Sequence, residues 1–437
     1  MLQKRLTLKW LYILGAIYIA LNAVFLYFEL YYFAAVPLAL LVIWAVFFKM
    51  DFLLIFIVFC TPLSLNLEQM DIGGVGFYLP TEPLLFGVLV IFIFMLLRGN
   101  SIDKRIFKHP VSWAIYAYLG WILMTSITSE MPVVSFKFLL TRAWFIGAFY
   151  FMAIHIFQNK KNFRKYLFAY IMPLCAVIIY TIIRHAGYSF EKDAGHWVMD
   201  PFFKDHTSYG AAIAMYVPII VGQLFTKNMS VTLKTFLGIA FVIIMAGLVL
   251  SFTRAAWVSV VLAGVLMGFL FLKLRFNTLV FATLITGVFV WFAQDEILIS
   301  LEKNKQDSSD DLAEHVESIS NVSSDASNLE RLNRWNCAID LFSERPLVGW
   351  GPGTYQFVYA PYQRSQDLTI ISTNNADGGN AHSDYLGPLS EQGIPGALTY
   401  LVIVVMVSRL GFRLYYTVKD RQMRILAASA YLGLFTY

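Results

Sequence analysis

FLGIAFVIIMAGLVLSFTRAAWVSVVLAGVLMGFLFL, residues 236–272, decides the fold: two apolar runs are interrupted by a single cation, Arg254. Each run approaches the roughly 20 apolar residues that cross a bilayer as an α-helix. In hydrocarbon a helix satisfies its own backbone N–H and C=O groups, which an irregular chain cannot do. The same rule applied outward finds further runs at 8–28, 31–48, 51–67, 82–97, 111–128, 132–156, 166–184, 207–225, 276–294 and 394–412. With the two runs of the opening stretch, 233–251 and 255–272, these make about 12 crossings, and a thirteenth opens near 425 and is read as truncated at Tyr437. The 437-residue chain is 58% hydrophobic and 14% charged, with a mean hydropathy of +0.64, whereas soluble domains carry about 25% charged residues. An all-α polytopic membrane protein is expected, and a soluble enzyme, a disordered scaffold and a secreted disulfide module are excluded. Cys60 and Cys175 lie in apolar runs and Cys337 in a polar stretch, so no framework of paired bridges is available. The basic N-terminus, Met1 to Lys9, leads into the first run without a small-residue cleavage site and reads as a retained helix.

The formal charge of +5 acquires meaning once the cations are placed along the chain. With the N-terminus inside, Lys4, Arg5, Lys9, Lys49, the Arg98–Lys108 and Lys160–Lys165 clusters, Lys227, Lys234, Lys273, Arg275 and the Arg409–Arg424 cluster all fall on the cytoplasmic side. That alternation follows the positive-inside rule. It assigns the basic excess to topology and leaves no call for a nucleic-acid partner. The expected organisation is transmembrane helices over 1–294, a large periplasmic loop over 295–393 and C-terminal transmembrane helices over 394–437.

The loop carries 16 Asp and Glu against 6 Lys and Arg. Its first part, Lys303 to Asn328, is Ser- and Asp-rich and weakly apolar, which predicts a mobile segment or a loose solvated helix. From Glu330 to Phe342 the residues Leu332, Trp335, Ala338, Ile339 and Phe342 recur at helical spacing. An amphipathic helix lying against the outer face, with Trp335 packed beneath it, is expected. Pro346 and the glycines of GWGPG, Gly349, Gly351 and Gly353, then force an ordered turn.

Ionisable groups at the membrane mark pathways or sites by default. Glu82 opens the fourth run, Lys137 and Arg142 lie a few turns down the sixth, Asp205 and His206 precede the eighth, and Arg254 stands between the ninth and tenth. All six face the compartment that holds the loop. Arg254 reads either as an interface arginine reaching lipid phosphate or as a fork for a phosphate ligand. Arg331 and Arg334 lie on either side of the surface helix, and a solvated helix face is the plainer reading of Arg334. For Glu82, Lys137, Arg142, Asp205 and His206, structural ion pairing and substrate binding stand equal. His382 lies in GGNAHSDYLGPLSEQGIPG, where a neutral imidazole accepts a proton near neutral pH and Asp384 or Glu391 is placed to orient it. No nucleotide-binding glycine loop, HExxH or paired CxxC occurs, so neither cofactor nor metal is implied.

SFTRAAW at 251–257, RLNRW at 331–335, RPLVGWGPGTY at 345–355 and NAHSDYLGPLSEQGIPG at 380–396, carried on about twelve crossings, resemble the O-antigen ligase and polymerase superfamily of bacterial glycan assembly. The likeness is strongest over 250–400. It implies a polytopic, GT-C-like glycosyltransferase of the bacterial inner membrane. The implied donor is a glycan on undecaprenyl diphosphate, used at the periplasmic face without nucleotide sugar, cofactor or metal. The acceptor implied is lipid A-core, a lipid-linked glycan, or a protein in an oligosaccharyltransferase of the same superfamily. By position, Arg254 and Arg331 match the arginines that hold the donor diphosphate, and His382 matches the general base. Ser383 stands where the family often has Asn, and Thr253-Arg254-Ala255 where it often has Ser-Arg-Gly. A non-enzymatic transporter of the lipid-linked precursor competes with this reading, but it calls for charges spread through the bilayer depth. A structural partner of another envelope protein is a third class, for which the acidic loop would matter and His382 would not.

Overall fold

The computed structural model describes residues 2–28, 33, 50–66, 78–98, 103–227, 229–302, 326–365, 368, 372 and 379–436. Apart from Phe33, the run expected at 31–48 lies outside the described residues, as does 303–325 of the Ser-rich stretch. Thirteen helices carry the argument: α1 (Leu2–Tyr27), α2 (Met50–Cys60), α3 (Thr81–Arg98), α4 (Pro110–Ile127), α5 (Pro132–Ile146), α6 (Lys160–Ala186), α7 (His206–Leu224), α8 (Val231–Leu250), α9 (Arg254–Phe271), α10 (Phe276–Glu302), α11 (Ala326–Glu344), α12 (Leu386–Thr417) and α13 (Arg421–Thr436).

Among the described residues eight helices are long and apolar enough to cross a membrane: α3, α4, α5 with its continuation to Phe157, α6, α7, α8, α9 and α12. Shorter apolar stretches lie at Gly15–Tyr27, Phe52–Leu63 and Phe276–Phe289. The protein is thus a mostly helical, multi-pass membrane chain. The third expected run, 51–67, ends early because Pro62 supports only a 3₁₀ turn, Thr61–Leu63. A two-residue antiparallel pairing follows, Leu65 opposite Leu79 and Asn66 opposite Tyr78.

Helix starts are written locally. Pro110 and Pro132 occupy first-turn positions that need no N–H donor. The Asp205 carboxylate accepts from Ser208 N at 2.7 Å and caps α7, while Ser230 caps α8 through Leu233 N. Past Ile146, α5 runs through a π-helical segment, Gly147–Met152, before Ala153–Phe157.

Helices α6, α7, α8 and α9 share one core with buried Ile171, Leu174, Ile178, Tyr209, Ile213 and Ile244. Val198 and Met199, from the connection between α6 and α7, are buried in it too. Helices α2, α3 and α5 share a second core around Ile57, Val88 and Phe151. Small residues set the closest helix contacts, as membrane helices favour. A Cβ on Gly210 would lie 2.8 Å from Thr253 of the α9 cap, and one on Gly433 of α13 would lie 2.7 Å from the carbonyl of Met215.

Candidate active site

The N-termini of α7, α9 and α12, the turn between α4 and α5, and the segment that contains α11 meet at one end of the bundle. Helix α11 forms over the expected stretch, but it is rotated relative to expectation. Asn333, Arg334, Cys337, Ala338 and Leu341 are buried, whereas Trp335 and Ile339 are exposed. The buried face packs on Tyr355 and Tyr359, which stack at 5.4 Å between ring centroids. The tyrosine at 355 is held by its hydroxyl, which donates to Arg334 O at 2.8 Å.

The GWGPG turn is clasped between two partners. Its glycines adopt φ of +65°, +116° and +77° at 349, 351 and 353, a region that disfavours side chains. Trp350 N donates to Ser390 O at 3.2 Å, Gly351 N to Glu391 O at 2.8 Å, and Ile394 N to Pro346 O at 2.9 Å. On the other side Glu130 N donates to Trp350 O at 3.0 Å, and Ser135 Oγ to Pro352 O at 2.9 Å. Helix α12 bends where the turn grips it, at Gly393 with φ +68°.

Between α4, α5, α12 and the 380–384 strand of loop lies a cavity of about 710 Å³. Phe138, Arg142, Phe145 and Phe149 line it from α5 and its continuation, at spacings that share one helix face. Tyr118, Tyr400, Asp384, Glu391 and His382 complete the part that concerns chemistry.

His382 stands on the cavity wall with φ 47°, a left-handed conformation that is uncommon for a residue with a Cβ. Its backbone is held by its own N–H donating to Asn380 Oδ1 at 3.0 Å and by its carbonyl accepting from Trp335 Nε1 at 3.4 Å. The ring is open to the cavity yet crowded by protein. That crowding first, and then the Arg331 and Arg334 charges, lower its pKa below the usual imidazole value against the opposing influence of Glu330 and Asp205. The imidazole is therefore mostly neutral at pH 7.

One of the two expected orienting carboxylates does other work. Glu391 accepts from Tyr355 N at 3.1 Å and from the backbone of Gly353, so it anchors the GWGPG turn. No hydrogen bond joins Asp384 or Glu391 to the His382 ring among the described residues.

Arg334 departs furthest from expectation. It is 5% exposed rather than solvated, its Nε donates to Glu330 Oε1 at 2.6 Å, and its guanidinium lies 3.8 Å from the Tyr359 ring centroid. Glu330 also accepts from Asn333 at 3.4 Å and from the Ser372 hydroxyl. Burial alone would raise its pKa; these hydrogen bonds and the Arg334 charge reverse that and lower it. Sequence periodicity missed Glu330 and Asn333 because it seeks apolar faces; the i, i+4 spacing of Glu330 and Arg334 was the available signal.

The other expected residues separate into groups. Arg331 is half-buried on α11 and acts on His382. Arg254 is half-buried at the first turn of α9, whose cap Thr253 donates to His206 O at 2.8 Å. This bond joins the start of α9 to the start of α7, where Asp205 both caps its helix and acts on His382. The His206 ring stacks on His196 at 4.4 Å. Arg142 reaches the cavity over the Phe138 ring, 4.8 Å from its centroid. Lys137 and Glu82 lie within electrostatic reach of each other and are absent from the cavity lining.

No curated protein matches the chain. The family model described as O-antigen ligase matches residues 239–401, the stretch that carries Arg254, Arg331 and His382, and this match supports the likeness to the O-antigen ligase/polymerase superfamily.

Proposed function

We propose that the protein transfers a glycan from an undecaprenyl-diphosphate donor to an acceptor hydroxyl, as an O-antigen ligase or polymerase, with His382 as general base. The observation that carries this reading is a neutral imidazole on the wall of a large cavity, with arginines acting on it. In the reaction the acceptor oxygen attacks the anomeric carbon as the bond from that carbon to the diphosphate oxygen breaks. His382 takes the acceptor proton, and the departing diphosphate carries the electron pair away. Attack opposite the leaving group inverts the anomeric centre. Arg254 and Arg331 bind the diphosphate, and fixed guanidinium groups stabilise its developing charge without reorganisation. Arg142 extends the cationic surface into the cavity. Glu82 with Lys137, and Asp205 with His206, support the neighbouring helix ends.

We place this site at the periplasmic face of the inner membrane, with the N-terminus cytoplasmic. A Ser343→Cys variant in intact cells tests that placement, because Cys60, Cys175 and Cys337 are buried. Labelling by a membrane-impermeant maleimide is expected, and protection until lysis overturns the orientation.

The activity test compares surface glycan and lipid-linked intermediates in cells carrying the native chain or His382→Ala. Loss of the long-chain ladder from lipid A-core, with long chains retained on the carrier lipid, identifies a ligase. Collapse to one repeat identifies a polymerase. An unchanged pattern at normal protein level overturns both, and loss of a glycoprotein alone assigns a protein acceptor. Purified His382→Ala is expected to lose about 10²–10⁴-fold in rate.

A further inference from the structure

The first part of the buried face of α11 is polar, with Glu330, Asn333 and Arg334 where a helix of this kind normally buries apolar groups. Glu330 and Arg334 form an ion pair with side chains only 7% and 6% exposed. Removing two charges from water costs several kcal/mol each, so such a pair is a weak source of stability. One guanidinium nitrogen, Arg334 Nη1, is buried without a hydrogen-bond partner among the described residues, a state that calls for an explanation beyond folding.

The explanation lies in what rests on the pair. The Gly379 backbone lies directly on the Arg334 guanidinium, and a Cβ at that position would collide with Nη1, Cζ and Nη2. Three residues further on is His382, whose carbonyl accepts from Trp335, the neighbour of Arg334 on α11. One turn of helix therefore touches the approach to His382 at two points, one on each side of the left-handed residue.

We propose that Glu330 and Arg334 are positioning residues for His382: the buried pair seats the 379–382 segment on α11 and fixes the charge that faces the imidazole. This rests on the reading of His382 as the base. The charged groups around the ring come from every side. Arg331, Arg334 and Glu330 face it from α11, and Asp205 faces it from the cap of α7. Asp384 follows it on its own loop, and Arg142 and Glu391 stand on the cavity walls. Arg334 opposes protonation of the ring and Glu330 favours it. The two halves of the pair therefore act on the base with opposite sign, a property that damage to the fold does not reproduce.

The test is the pH profile of kcat/KM for purified protein with a lipid-linked glycan donor and its acceptor. Arg334→Met removes a cation, so the acid limb moves to higher pH; Glu330→Gln removes an anion, so the limb moves to lower pH, each by roughly half a unit. Arg334→Lys keeps the charge but not the planar contact with Tyr359, so its limb stays near the native midpoint while kcat falls. The double variant Glu330→Gln/Arg334→Met leaves no buried charge unpaired and serves where a single variant fails to fold. Its limb returns toward the native midpoint, and its kcat falls at least threefold because the segment has lost its seat. Same-sign shifts or unmoved limbs in the single variants, or native kcat in the double variant, overturn the proposal. A native profile whose acid limb persists in His382→Ala overturns the base assignment itself, so the two failures are distinct.

Discussion

Trp335 Nε1 donates to the main-chain carbonyl of His382 across 3.4 Å, a contact between residues 47 positions apart. It uses the exposed side of α11, the opposite of a buried tryptophan. The indole thus reads as a strut for the loop, and the base is held by main-chain contacts, its carbonyl on Trp335 and its N–H on Asn380.

Trp335→Phe keeps an aromatic body and removes the N–H. A net hydrogen bond of this kind is worth about 1 kcal/mol, so kcat should fall about fivefold with little change in donor KM. Steady-state kinetics at saturating acceptor measure it, and an unaltered kcat removes the strut.

The native enzyme should keep its activity below the ordinary titration of histidine. The active form of the base is neutral imidazole, and crowding together with Arg331 and Arg334 lowers its pKa. Activity therefore falls as pH drops through a midpoint below 6.5, the usual value. A kcat/KM profile measured from pH 4.5 to 8, a range chosen to bracket that value, gives the midpoint; a midpoint above the usual value contradicts the assignment.

Two glycine substitutions should behave oppositely. Gly351 has φ +116°, and a Cβ there would collide with Ser129, so Gly351→Ala should destabilise by about 2 kcal/mol or more. Gly264 lies inside α9 with nothing within 4 Å of a Cβ, so Gly264→Ala should be neutral or stabilise by up to about 1 kcal/mol. Thermal unfolding of both variants in the same detergent makes the comparison.

Glu391→Ala should release the turn that its carboxylate holds through Tyr355 N and Gly353. A net hydrogen bond is worth about 0.5–1.5 kcal/mol. Faster proteolysis within 345–355, with the helical content by circular dichroism retained, is the expected result; native cleavage rates would show that the turn is held by its main-chain bonds alone.

Much of the fold is legible because its signals are local. A crossing helix satisfies its own backbone, so runs such as 111–128 and 233–251 reappear as α4 and α8 within a few residues. The GWGPG glycines announce the turn, and positive φ at all three bears this out. Arg334 was not legible, since its environment depends on Tyr359 and Gly379, which approach α11 from later in the chain. The rotation of α11 escaped for the same reason: Trp335 and Ile339 belong to the expected apolar stripe, yet the helix turns the stripe of Asn333, Arg334, Cys337, Ala338 and Leu341 toward the protein. Nor did spacing predict that Glu391 would serve the turn instead of the imidazole beside it.

The bend of α12 at Gly393 has a mechanical consequence. Main-chain bonds fasten the GWGPG turn to residues on both sides of the bend, at Ser390 and Glu391 before it and at Ile394 after it. The long limb beyond the bend is long and apolar enough to cross a membrane, and a helix that does so answers a mismatch in bilayer thickness by tilting. Because the fasteners straddle the pivot, a tilt of that limb is levered into the cavity rim where Glu391 and His382 stand. The acyl-chain length of the surrounding lipid should then affect the spacing of the site, and turnover in vesicles of graded chain length should trace a maximum at the thickness that leaves the bend at rest.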